Sequence, residues 1–255
     1  MTIRPELAYR FNQIIWGGLD LLFPPSCCGC GKLGSLFCRD CQQKLESVPL
    51  PVCEVCGLPQ NKTGICTECE ITRPTFFALR SCTVYKDPAR PALLSLKFHG
   101  KSGLGPAFAR IIAPFLDGLG WQADYITPIP ISQKRSKERG YNQAELIAYP
   151  LARLLGWQFN SSALSRTGHS NSQVGLGAKE RRKNVQGVFH AEPHVVNGKT
   201  ILLVDDIATS GSTLDSASST LLEAGARKVL ALTFARALPK YGYDHDMSLP
   251  THTSL

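Results

Sequence analysis

The sequence predicts an α/β protein, a parallel-sheet domain preceded by a small cysteine-rich module. Three observations carry that prediction. From about residue 75, apolar strand patterns alternate with helical ones, as a parallel sheet with crossover helices requires. Eight of the ten cysteines form four C-x-x-C pairs within residues 27–69. An unbroken apolar strand, 200–204, runs into two adjacent carboxylates and a loop of small hydroxyl residues. With 255 residues, 43% of them apolar, the chain has material for one large domain or two smaller ones. No apolar run reaches the roughly 18 residues of a membrane helix. The best, 14–23, is interrupted by Asp20, and no small-residue cleavage site follows it. A cytoplasmic chain without membrane insertion is expected, and a collagen-like fibre or a disordered tail is excluded.

Residues 1–25 read as an amphipathic helix. Leu7, Phe11, Ile14, Ile15, Leu19 and Leu22 recur at spacings of three and four, and Pro24 and Pro25 end it. Its polar face is too weakly basic for a membrane surface, so it is expected to pack on the body of the protein. Residues 26–74 form the cysteine module, with Pro49 and Pro51 between its halves. A two-residue spacing lets both sulfurs of a pair reach one ion at about 2.3 Å, and two pairs complete a tetrahedron. Gly31 and Gly57 follow the first pair of each half and permit the tight turn of a zinc knuckle. Two structural Zn²⁺ sites are expected. The favoured pairing is sequential, Cys27, Cys30, Cys38 and Cys41 on one ion and Cys53, Cys56, Cys66 and Cys69 on the other; a crossed pairing is the alternative. Four thiolates leave no open position for catalysis. Cys28 is spare, as is Cys82, which reads as a core thiol in a strand at 79–85.

The third segment, 75–240, carries the α/β pattern, and a loose polar tail, 241–255, follows it. Asp87 as cap and Pro88 in the first turn start a helix that runs to Gly100. Pro106 opens another, to about Asp117. A short strand at 125–128 precedes a helix over 141–156, where Pro150 predicts a kink or break. A strand at 200–204, a helix at 213–224 and a strand at 228–235 complete the series, with Gly225 as the helix stop.

The chemistry centres on 200–214, TILLVDDIATSGSTL. Ligands of open α/β sheets bind at the carboxyl ends of the strands. Ala208, Thr209, Ser210, Gly211, Ser212 and Thr213 open a helix whose N–H groups, hydroxyls and dipole suit a phosphate. Asp205 and Asp206 would repel a bare phosphate but suit vicinal sugar hydroxyls or Mg²⁺. Together they ask for a sugar phosphate, most simply a ribose 5-phosphate. The Walker-like ending at 198–200 fails because a strand, not a helix, follows it.

VDDIATSGST resembles the phosphoribosyl pyrophosphate (PRPP) motif of type I phosphoribosyltransferases. The cysteine pairs ahead of it narrow the resemblance to the ComF family. LLSLKFHGK at 93–101, TPIPISQKRSKERGYNQAELIA at 127–148 and the run from Gln173 to Phe189 resemble that family as well. The resemblance implies a type I phosphoribosyltransferase-like sheet domain and a link to DNA uptake or use of external DNA. It implies that Asp205 and Asp206 hold the ribose 2′- and 3′-hydroxyls and that Thr209 to Thr213 cradle the 5′-phosphate. Pyrophosphate with its Mg²⁺ would lie toward a mobile basic loop bearing Lys134, Arg135, Lys137 and Arg139, with Lys97 as another cationic candidate. If the protein is an enzyme, a nitrogen nucleophile displaces pyrophosphate from C1 of PRPP. However, Thr209 stands where purine-salvage relatives have an aspartate, and a threonine is no general base near neutral pH. No catalytic residue is therefore assigned.

Charge separates the halves. Residues 1–75 hold seven charges of each sign, whereas 97–183 hold thirteen basic and five acidic side chains, which accounts for the net +8. A localised basic excess points to an anionic partner. The leading expectation is a PRPP-site protein that binds single-stranded DNA through 134–139 and a second cluster with Arg181 and Arg182. Tyr141 and Phe189 are candidate base-stacking aromatics. The alternatives are an active phosphoribosyltransferase with an unknown acceptor, and a scaffold whose zinc module contacts DNA-uptake or recombination proteins.

Overall fold

The computed structural model describes residues 24–166 and 188–238. The N-terminal helix expected over 1–25 lies almost wholly outside them, as do Arg181, Arg182 and the tail at 241–255. Five parallel strands form the central sheet: β1 (Ala78–Val84), β2 (Tyr125–Pro128), β3 (Gln158–Phe159), β6 (Thr200–Ala208) and β7 (Lys228–Arg236). Their spatial order is β1-β7-β6-β2-β3. The central strands β6 and β7 are near-continuous apolar runs because both their faces are covered. β4 (Leu164–Arg166) and β5 (Phe189–Ala191) form a separate antiparallel pair.

The helices divide between the two faces. α3 (Ala89–Phe98), α4 (Leu104–Leu119) and α6 (Gln143–Leu155) cover one, where Leu93, Phe108, Ile112, Ile147 and Leu151 pack on Leu202, Val204 and Phe234. α8 (Ser212–Glu223) covers the other, with Leu214, Ala217 and Leu221 on Ile201, Leu203 and Ala231. The short helices are α1 (Arg39–Gln43) and α2 (Thr67–Ile71) in the cysteine module, α5 (Gln133–Arg139) after β2, and α7 (Pro193–Val196) before β6.

The cysteine module straddles the edge strand β1. Its first half packs into the core of one face, with Phe37 edge-on to Phe108 at 5.8 Å. Its second half packs into the core of the other, beside Phe76 and Leu79. Between them the module caps strand N–H groups that would otherwise face solvent. Leu79 N donates to Val55 O at 2.7 Å, and Val84 N to Glu46 O at 2.8 Å. An uncovered edge strand is a template for unwanted pairing, and here the module covers it.

Several expectations change. The helix after β1 has Pro88, not Asp87, at its N-cap, without a side-chain cap bond. The next helix starts at Leu104, so Pro106 lies inside its first turn. The mobile loop expected at 134–139 is instead the helix α5, capped by Ser132, whose Oγ accepts from Arg135 N at 3.3 Å. α6 begins at Gln143, and the Asn142 side chain accepts from Ala144 N at 3.1 Å. It runs through Pro150 unbroken. The carbonyl that Pro150 leaves without a helical donor belongs to Leu146. Gly105 of α4 packs on that oxygen so closely that a Cβ there would lie 2.3 Å away. Finally, β6 does not end at the paired acids but continues to Ala208, so Asp205 and Asp206 lie within the strand.

Candidate functional site

Each cysteine quartet is assembled in sequence order. The sulfurs of Cys27, Cys30, Cys38 and Cys41 lie within 4.8 Å of one another, and so do those of Cys53, Cys56, Cys66 and Cys69. Individual Sγ···Sγ separations are 3.6 Å for Cys27–Cys41, 3.6 Å for Cys30–Cys38 and 3.8 Å for Cys56–Cys66. A zinc tetrahedron with Zn–S of about 2.3 Å has an edge of about 3.8 Å, so both donor sets fit the ion. Backbone amides point at the sulfurs: Cys38 N donates to Cys27 Sγ at 3.3 Å and Cys66 N to Cys53 Sγ at 3.3 Å. Burial pushes the Cys27 and Cys53 thiols up, but such amides outweigh it and bring each down to about 6. Thiolates are the form zinc binds. Cys82 packs against the core, and burial raises its thiol to about 12.

The second centre lies at the carboxyl end of β6. Adjacent residues of a strand face opposite ways, so the two carboxylates have different surroundings. Asp206 is buried, and its Oδ2 lies 2.8 Å from Lys97 Nζ at the end of α3. Both side chains are nearly sealed, at 6% exposure for Lys97 and 4% for Asp206. Asp205 keeps some solvent access, and its Oδ1 accepts from Asp206 N at 2.8 Å. Burial, then the neighbouring Asp206 charge, pushes its carboxyl up, against the opposing pull of Lys97. Lys97 thus departs from its expected place among the cations of the basic loop. Its charge is spent on Asp206.

A loop follows, from Thr209 to Gly211. Ala208 is buried and accepts from Ala237 N at 2.9 Å. Thr209 and Ser210 are exposed, and Ser212 and Thr213 are partly so. Gly211 is the N-cap of α8 with φ of +80°, a conformation open chiefly to glycine. Ser210 Oγ and Ser212 Oγ sit 3.0 Å apart. Hydroxyls and the positive end of a twelve-residue helix therefore stand beside one accessible carboxylate. The base of α8 is fixed by Thr75, whose N and Oγ1 donate to Asp215 Oδ1 at 2.6 and 2.8 Å.

α5 brings cations to the same region. Lys134, Arg135 and Lys137 are exposed, and Lys134 lies 3.9 Å from Glu138. Arg139 is half-buried, with its guanidinium 4.9 Å from the centre of the Phe98 ring. Burial and then the Arg135 charge pull the Arg139 pKa down, while Asp206 opposes them. Burial and Arg135 act in the same direction on Arg166, at the end of β4. Arg135, Arg139 and Arg166 therefore share one field, an arrangement that suits a polyanion. Arg166 escapes sequence reading because β4 is too short to show a period.

The two stacking candidates are structural. Tyr141 donates its hydroxyl hydrogen bond to Leu96 O, and Phe189 is buried. The aromatic ring beside the basic helix is Phe98, 37% exposed. Sequence reading passed over two further arginines: Arg80, which donates to Cys53 O and Glu54 O beside the second cysteine quartet, and the fully buried Arg236. The available signal was a charged residue inside or ending an otherwise apolar strand.

The chain matches known families in both halves. Residues 18–70 match the double zinc ribbon domain, and residues 142–249 match the phosphoribosyl transferase domain. It is 32% identical over 194 residues to the DNA utilization protein YhgH of Escherichia coli (strain K12), covering 73% of this chain and 85% of that one. It is 28% identical over 245 residues to the competence protein ComFC of Bacillus subtilis (strain 168), covering 89% and 92%. It is also 28% identical to competence protein F of Haemophilus influenzae, over 79% of this chain and 90% of that one. With its paired cysteine quartets ahead of an acid-tipped parallel sheet, the chain belongs to the ComF family, a double zinc ribbon joined to a phosphoribosyltransferase-like domain.

Proposed function

We propose that this protein binds PRPP, or a related ribose phosphate, at 205–213 and single-stranded DNA along its basic edge, and that it acts in the uptake or use of external DNA. The observation that carries the reading is the juxtaposition at the end of β6. One partly accessible carboxylate and a hydroxyl-lined helix N-terminus stand together there, and the charge of Asp206 acts on Arg139 of the basic helix α5. In this reading Asp205 accepts hydrogen bonds from the ribose hydroxyls. Ser210, Ser212, Thr213 and the backbone at the start of α8 hold the 5′-phosphate. Asp205 is also the carboxylate available to Mg²⁺, which would neutralise a pyrophosphate and leave the arginines to orient it. Asp206 serves the site indirectly, because Lys97 already holds its charge.

Single-stranded DNA is the polymer whose phosphates suit the exposed Lys134, Arg135 and Lys137. Phe98 under Arg139 offers a face on which a base can stack. Arg181 and Arg182 belong to the same basic stretch of sequence. The names of the relatives, competence and DNA utilization, agree with a nucleic-acid role. Thr209 itself is no proton acceptor near neutral pH, which favours ligand binding over turnover. The test is calorimetric titration with Mg²⁺–PRPP, titration with single-stranded DNA at two salt concentrations, and an assay of PRPP consumption with a panel of nitrogen acceptors. Binding of both ligands without consumption supports the proposal. Consumption would instead identify a phosphoribosyltransferase. Retention of neither ligand would leave a zinc-ribbon scaffold.

A further inference from the structure

Arg236 is the largest fully buried side chain among the described residues, at 1% exposure. Its Nε and Nη1 find no hydrogen-bond partner among those residues. A cation sealed in this way needs a counter-charge. Among the described residues no carboxylate forms an ion pair with it. Burial pulls the Arg236 pKa down, and the charges of Cys56, Cys69 and Cys53 oppose that effect. Arg80 approaches the same quartet, donating from Nη1 to Cys53 O at 3.3 Å and from Nη1 and Nη2 to Glu54 O at 3.1 Å. Four thiolates around Zn²⁺ carry two net negative charges, which these two arginines match. At the first quartet the cation facing the sulfurs is Lys32, which is exposed and paired with Asp40 at 3.0 Å.

The second quartet also touches the phosphate loop by packing. Gly57, in its knuckle, sits so close to the edge strand that a Cβ there would lie 2.3 Å from Leu79 O. Leu79 is fully buried, and its N–H is held by Val55 O of the same knuckle. On its far side the Leu79 side chain lies against Gly211, with Cδ2 3.6 Å from where a Cβ would be; Phe76 lies at 3.9 Å. The backbone of Arg236 lies in register with Ala208, the residue that begins the loop, and Ala237 N holds Ala208 O at 2.9 Å. A chain of packing contacts, Gly57 to Leu79 and then Leu79 with Phe76 to Gly211, thus runs from the quartet to the loop, and the Arg236 backbone flanks Ala208 at the start of the same loop.

We propose that Arg236 is a positioning residue, the buried counter-cation of the second zinc site, and that this site, not the first, holds the phosphate loop in its binding shape. Zinc at Cys53, Cys56, Cys66 and Cys69 thereby governs whether a sugar phosphate can bind. The last clause rests on the phosphate-loop reading given above; the coupling between metal and loop does not.

The experiment uses the full-length, zinc-loaded protein and the variants Arg236→Met and Arg236→Lys. Zinc is withdrawn stepwise by a competing chelator, and amide hydrogen exchange is followed at 27–41, 53–69 and 205–213. Arg236→Met is expected to weaken zinc at 53–69 by about tenfold or more, the scale of losing one charge partner in a poorly solvated site. The metal at 27–41 should be unmoved, and Arg236→Lys should restore affinity to within about threefold. In the zinc-free protein the sign reverses: Arg236→Met melts at or above wild type, because it removes an unpaired buried cation. A residue that only filled space would destabilise both forms alike. Exchange at 205–213 should rise when 53–69 loses metal and not when only 27–41 does. Equal weakening of both sites, no weakening, or loop exchange indifferent to zinc would overturn the proposal. Should Arg236→Met not fold, Arg236→Lys and the wild-type chelation series still decide it. Zinc-loaded wild type that shows the coupled exchange but fails to bind PRPP would support the coupling and overturn the phosphate-loop reading alone.

Discussion

The sealed Lys97–Asp206 pair invites a quantitative test. Lys97→Met keeps most of the aliphatic stem and deletes the charge. At 2.8 Å and 4–6% exposure, the pair has little water to share its field. Removing one partner strands the other, which costs about 3–5 kcal/mol. Domains of this kind are stable by only about 5–15 kcal/mol, so the loss is a large fraction of the whole. At about 2–4 °C per kcal/mol, the melting midpoint should fall by roughly 10 °C. Adding Asp206→Asn should recover most of it, since the double variant carries no buried charge at the pair. Urea unfolding of the wild type, both single variants and the double variant measures all of this. A loss below about 1 kcal/mol, or one that Asp206→Asn does not relieve, would refute the view of Lys97 as the counter-ion of Asp206.

Elemental analysis of protein purified without chelator should find two Zn²⁺ per chain, and chelation should open 27–69 first, because so small a module depends on its metal. Asp205→Asn leaves the Lys97 pair intact, so the variant should fold as well as wild type yet bind Mg²⁺–PRPP at least about tenfold more weakly by calorimetry. Because burial and Asp206 push the Asp205 carboxyl up to about 8, that acid stabilises the free fold least above pH 8, while its ionised form is the one that binds. Wild-type affinity should accordingly rise from about pH 7 to about pH 9, and the Asn variant should show no such rise. Replacing Arg135 and Arg139 with Ala should weaken single-stranded DNA binding and reduce its salt dependence by about 0.7 per lost phosphate contact; an unchanged salt slope in a folded variant would return α5 to being a solvated surface.

What the sequence revealed and what it concealed follow from the range of the interactions. The cysteine quartets were legible because each is local, with every ligand within 17 residues of the others. β6 and β7 were legible because their burial on both faces leaves an unbroken apolar run. α5 was not, because it buries no residue and so shows no apolar period; only Ser132 marked its start. Pro150 misled because its surroundings are set elsewhere in the chain, where Gly105 of α4 packs closely on the Leu146 carbonyl. The role of Lys97 was hidden for the same reason. Its partner lies 109 positions away, and no local pattern distinguishes a lysine that meets a phosphate from one that meets an aspartate.

The order of the strands has a consequence for synthesis on the ribosome. Among the described strands β1 is the first to emerge, yet its only neighbour among them is β7, the last. About 150 residues separate them, which is roughly 8–30 s of translation. Throughout that interval one side of β1 has no strand to pair with. The ribbon made just before it can already occupy the other side, through Val55 and Glu46, with no need of later sequence. Metal supply during translation would then set how long a nascent chain carries a fully naked strand, and a zinc-starved cell should lose this protein to aggregation before it loses any bound ligand.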